Sequence, residues 1–233
     1  MNNIFTVETI NFIKNEMCIN PEEYISKIQL YNERIQSVFK NLGIYLIESR
    51  EITDEFSIDD TYRLGAYSLL TSNGLDLSEV KNEFEIADIM IRAFSRYKRH
   101  GLLHLYTGAE SDCWDPLPTI TKSLYNEMEQ WEQNIFDKFN NILTIYRGTS
   151  YQEYESYIFS QSWTLDKDKA GYFAFQLGED KYIGTERVVI EAKIGKNDIF
   201  AYIEQEKECI INPNEIINGS IRLIEKKVFI SLK

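Results

Sequence analysis

Apolar residues recur at helical spacing up to Asn141, and beyond it they gather in short β-branched and aromatic clusters. Asn20 followed by Pro21-Glu22-Glu23 opens a helix. It offers a capping side chain, a proline whose fixed φ suits the first helical position, and acids facing the positive helix end. Ile25, Ile28, Ile35, Val38, Phe39 and Leu42 carry the apolar face, and Gly43 is the expected stop. A second helix is expected from Asp59 or Asp60 to Gly74. A third is capped by Ser78, carries Val80, Phe84, Ala87, Ile91 and Phe94, and ends at Gly101. Gly108 to Pro118 reads as a loop, and a further helix follows from Ile120 to Asn140, with Trp131, Ile135 and Phe139 buried. Ile142 to Tyr146 then reads as a strand ending at Arg147-Gly148. Further strands are expected from Arg187 to Ile194, from Glu208 to Ile211 and from Ile221 to Leu232, the last with a half-exposed alternation. Helices first and strands afterwards mean an α+β fold.

With 233 residues, 43% of them hydrophobic and 13% aromatic, the chain can build a real core. It has only 4 prolines and no Gly-, Ser- or Pro-rich tract, so one continuous compact body without a linker or repeat is expected. A net charge of −12 opposes adhesion to phosphate backbones and to anionic membranes. The basic run Arg92, Arg96, Lys98, Arg99 and His100 falls at the end of a predicted helix, where the helix dipole accounts for it. Cys18, Cys113 and Cys209 lie far apart, which reads as a reduced, cytosolic-type protein without a disulfide framework. His100 and His104 lack the clustered partners of a zinc site. No apolar run approaches the roughly 20 residues that span a bilayer. Met1 to Phe5 shows no basic or long apolar region, so no secretory signal is expected and the cytoplasm is the expected location.

Three segments of the strand-rich half carry chemistry. In Tyr146-Arg147-Gly148 a guanidinium stands beside a glycine. It offers a planar fork of donors to an anion, and glycine lets a ligand approach the backbone. In Ser162-Trp163-Thr164 two hydroxyls lie two residues apart on an extended segment and so share a side. A short helix follows, capped by Thr164 or Asp166, with Ala170, Phe173 and Ala174 on one face. Glu204-Gln205-Glu206-Lys207-Glu208 runs into Cys209-Ile210-Ile211. There Glu206 and Glu208 can face one cavity, one staying ionised beside a developing cation while the other takes a proton from a nucleophile. A solvated acidic turn is the bland alternative, and Glu204 with Glu206 is a competing pair.

In this order the three segments resemble the arginine–serine–glutamate group of mono-ADP-ribosyltransferases, which includes clostridial-type toxins and bacterial and phage enzymes. The likeness covers residues 142–213, and Asp198 to Tyr202 is similar to the approach to the glutamate turn in that family. It implies a mixed or antiparallel β-sandwich core over residues 105–233, with a helical N-terminal half, residues 1–104, packed on it. It also implies NAD as substrate. Arg147 would bind the NAD phosphates, with Tyr146 beside it. The Gly148 backbone would receive the nicotinamide amide, and Trp163 is one of several aromatic candidates for stacking on the ring. Ser162, with Thr164 nearby, would orient the catalytic glutamate and support the nicotinamide-side ribose. Glu208 would bind the ribose 2′-hydroxyl and stabilise positive charge at the anomeric carbon, and Glu206 would deprotonate the acceptor. The two-glutamate pattern implies a protein acceptor bearing arginine; the charge disfavours a nucleic-acid acceptor, and no membrane is implied. An NAD glycohydrolase on the same scaffold and a non-catalytic interaction protein are the alternatives.

Overall fold

The computed structural model describes residues 4–15, 18–48, 68–72, 119–177 and 184–229. The chain divides into two compact units, Met1–Thr121 and Lys122–Lys233. The boundary expected at residue 104, the loop at 108–118 and the helix expected from Ser78 to Gly101 lie outside the described residues, as does most of the one ending at Gly74. Residues 68–72 are helical. Among the described residues no helix is long and apolar enough to cross a membrane.

In the first unit, α1 (Val7–Asn15), α2 (Pro21–Ile28) and α3 (Glu33–Glu48) surround Phe5, Phe12, Ile13, Ile28, Phe39 and Leu42. Asn20 caps α2 by accepting from the Glu22 N–H, with Pro21 in the first turn, as its sequence signal requires. The single helix expected up to Gly43 is in fact two. Asn32 Oδ1 accepts from Ile35 N and starts a new helix, and Gln36 closes the joint onto the Tyr31 carbonyl at 2.7 Å. Nor does Gly43 stop α3, which runs on to Glu48. A Cβ there would lie 2.9 Å from Thr9 Cγ2, so the glycine serves the close approach of α1.

In the second unit, the helix expected from Ile120 to Asn140 shrinks to a 3₁₀ turn at Tyr125–Glu127 and α4 (Gln130–Phe136). Its buried residues are Glu132 and Phe136 rather than those expected: Trp131 is 51% exposed and Ile135 and Phe139 are half-buried. Then come β1 (Ile142–Ser150), α5 (Tyr151–Ser156), β2 (Ser162–Thr164), α6 (Lys167–Phe175), β3 (Glu186–Gly195), β4 (Ile199–Ile203), β5 (Glu208–Ile211) and β6 (Arg222–Val228). The strands form one antiparallel sheet in the order β4-β5-β2-β1-β3-β6. The fold is therefore α+β, with a six-stranded antiparallel sheet where two stacked sheets were expected. The sheet has a narrow waist. β1 pairs with β3 from Ile142↔Gly195 to Ser150↔Arg187, but with β2 only at Tyr146↔Thr164. β6 does not show the half-buried alternation expected of it: it is an exposed edge carrying Arg222, Glu225, Lys226 and Lys227, charges that deter pairing with another chain.

β1 does not end at Arg147-Gly148 but runs through it to Ser150. Gly148 lies under α6, where a Cβ would meet the Ala170 carbonyl at 2.1 Å and the Ala174 nitrogen at 2.6 Å. Ala170, Ala174, Phe175 and Val189 form the core there, with Tyr146 packed against it. Phe173, expected on the buried face, is only half-buried, and Phe175 takes that place.

Candidate active site

β2 lies between β1 and β5, so the sheet itself brings the three segments together. Thr164 pairs with Tyr146 on one side and with Glu208 on the other. Ser162 Oγ donates to Glu208 Oε1, joining residues 46 apart in sequence. Arg147 donates through Nη1 to the Ser162 carbonyl at 2.6 Å, beyond the point where the β1–β2 pairing ends.

Glu208 is only 6% exposed. Burial pushes its carboxyl up to about 7, and the charge of Glu206 adds to this, while the Ser162 hydroxyl, Arg147 and Lys169 pull it back. Arg147, Ser162, Glu206 and Glu208 thus share one electrostatic neighbourhood.

The glutamate-bearing turn is fixed from every side. Residues Glu204–Glu206 form a 3₁₀ turn, and Lys207 follows with φ +50, a left-handed conformation costly for a side-chain-bearing residue. The Thr164 hydroxyl reaches the carbonyls of Glu206 (3.0 Å) and Lys207 (3.2 Å). Leu165 N–H donates to the Lys207 carbonyl, Lys207 Nζ pairs with Asp166 at 3.0 Å, and Lys169 Nζ donates to the Gln205 carbonyl. From the other side, Glu132 Oε1 accepts from Glu204 N–H at 3.1 Å. Tyr202 donates its hydroxyl to the Glu204 carboxylate. Of the two competing candidates, Glu204 thus bonds Tyr202 while Glu208 accepts from Ser162.

Comparison of the chain with protein-family models, curated proteins and solved structures finds no match.

Trp163, Gly148 and Tyr146 meet a different environment from the one expected. Trp163 is 2% exposed, faces Phe159 edge-on and donates its indole N–H to the Ser160 carbonyl, so it is core and has no open face for a ligand ring. Gly148 was expected to admit a ligand, but the space its missing side chain leaves is filled by α6. Tyr146 lies half-buried against that helix, and burial, with Glu191 nearby, raises its hydroxyl pKa. The Thr164 hydroxyl is taken up by the Glu206 and Lys207 carbonyls of the glutamate-bearing turn.

Sequence reasoning missed Glu153. Its carboxylate accepts from Arg147 Nε at 2.9 Å and Nη2 at 3.3 Å, from the Thr149 hydroxyl and from Ser160 N–H. Burial alone would raise Glu153, but Arg147 and these donors outweigh it and hold the carboxyl below the usual range. Arg147 is therefore a preset fork rather than a free arm, and its remaining N–H groups are those an anion would take. The signal was present as Ser150-x-x-Glu153, a capping-box pattern: Ser150 does cap α5, but the glutamate turns to the arginine instead of back to the helix end.

Proposed function

We propose that this chain is an NAD-dependent mono-ADP-ribosyltransferase that passes ADP-ribose to an arginine side chain of a protein acceptor. The observation that carries the reading is the Ser162–Glu208 hydrogen bond beside Arg147, on three strands adjacent in the sheet. These are the residues whose order along the chain resembles the arginine–serine–glutamate transferases.

The donor set fits NAD, a dianionic pyrophosphate joined to a ribose whose nicotinamide is already cationic. Such a leaving group departs with the bonding electron pair as a neutral base, so the site needs no strong acid. It needs negative charge beside the anomeric carbon in a setting that does not reorganise, and Glu208, seated by Ser162, supplies it. Arg147, held by Glu153, would take a phosphate oxygen. Glu206 is partly exposed on the anchored turn and would accept the proton that the attacking guanidine loses as its new bond to carbon forms. The finer fold reading follows the same line: the one-pair waist parts the sheet into β4-β5-β2 and β1-β3-β6, the two halves that a sandwich-like transferase core would need. The reading places the enzyme in the cytoplasm of the producing or the target cell, with no membrane partner.

The test is an NAD labelled in its adenylate, incubated with the protein and a cytosolic extract. Free nicotinamide and covalently labelled protein should appear together. Equal labelling by Glu208→Gln would sink the assignment, and nicotinamide release without labelled protein would move it to an NAD glycohydrolase.

A further inference from the structure

Lys169 sits against local preference. Asp166 caps α6, so Lys169 falls in the first turn, at the positive end of the helix, where a cation is disfavoured. It is drawn back toward the glutamate turn instead, and its Nζ donates to the Gln205 carbonyl at 2.5 Å. The groups that act on the Glu208 charge are Ser162 from β2, Glu206 from the turn, Arg147 from β1 and Lys169 from α6, while β4 on the other side brings only Ile203 beside it. Cys209, next along β5, is a buried thiol whose ionisation burial and Glu208 both oppose, so it stays neutral. Of the two cations, Arg147 is compensated by Glu153 at 2.9 Å. Among the described residues Lys169 bonds a carbonyl and forms no ion pair with a carboxylate, and its charge favours the ionised form of Glu208.

We propose that Lys169 is a positioning residue of this site: its ammonium seats the turn that carries Glu206 and Glu208 and keeps a positive charge facing Glu208. The inference rests on the transferase reading above. It assigns Lys169 no contact with substrate. Its two effects, on the place of the turn and on the charge of Glu208, are carried through other residues. The Lys207–Asp166 pair fixes the far end of the same turn, so α6 grips it at two points with opposite polarity.

Lys169→Met and Lys169→Arg test it in the full chain, by the pH dependence of kcat for nicotinamide release and by carbon NMR titration of the glutamate carboxyls. In the Met variant the acid limb should move upward by about half a pH unit, read as a roughly threefold lower rate on the acid side. The Glu208 titration should move with it, and Arg should restore both. A Met variant whose profile and Glu208 titration overlay the wild type overturns the inference. If the wild type releases no nicotinamide, it is the transferase reading that fails. The NMR titration still decides whether Lys169 acts on Glu208.

Discussion

Glu208 carries opposite demands. Its folded pKa of about 7 stands above the ordinary 4.5, so the buried neutral form is favoured and stability drains away as the carboxyl ionises. The contribution is complete below about pH 4.5 and is lost as the pH rises through about 7. Glu208→Gln keeps a partner for Ser162 without the charge. Above pH 7 it should therefore be more stable than wild type by on the order of 3 kcal/mol, an advantage that vanishes toward pH 4.5. Urea unfolding at both ends of that range measures it, and a pH-independent difference would refute the buried titration. The same variant should lose about 10² to 10³ in nicotinamide release. The wild-type kcat/KM should rise with pH around 7, since the free enzyme must ionise Glu208 first. Arg147, Ser162 and Glu208 were all legible in the sequence because their spacing follows a pattern. Glu153 showed only as a capping pattern, and Lys169 and Glu132 did not show at all, since their hydrogen bonds are closed by folding: Glu132 lies 72 residues from the Glu204 N–H it accepts.

Among the elements, β5 was read to the residue, and β3 within one at each end, because β-branched apolar residues dominate both strands and are mostly buried. Where glycine was taken as punctuation the reading failed. Gly43 and Gly148 lie inside a helix and a strand; the first makes room for the Thr9 and Phe5 side chains and the second for the backbone of α6, neither of which local sequence announces. Gly148→Ala should force α6 off β1 and cost about 3 kcal/mol by chemical denaturation; a neutral outcome would show that the helix yields freely. The turn before β5 allows a cleaner comparison. Lys207→Ala and Lys207→Gly both lose the Asp166 pair, so their difference isolates the left-handed backbone. Glycine should be the more stable of the two by about 1 kcal/mol. Equal stabilities would mean that the turn relaxes once its lysine is gone.

For the whole molecule, the net charge of −12 acts on partners before contact. On the proposed reading, such a charge would draw in an acceptor rich in arginine and not an anionic nucleotide. Raising salt from about 50 to about 300 mM should therefore lower kcat/KM for a basic protein acceptor on the order of tenfold, while nicotinamide release from NAD alone is not slowed. A flat salt response of the acceptor would remove long-range steering from the account. The α+β class was legible from the order of helical and strand texture, whereas the union of six strands into one sheet was not, because it hangs on a single residue pair. That pair has a mechanical meaning. A ladder held by one rung, one guanidinium and an overlying helix is a crease, and amides on its two sides should exchange with solvent deuterium as separate cooperative blocks. The line of least resistance to opening then runs between Arg147 and Ser162, so the place where the protein is easiest to part is also the place where its charged groups converge.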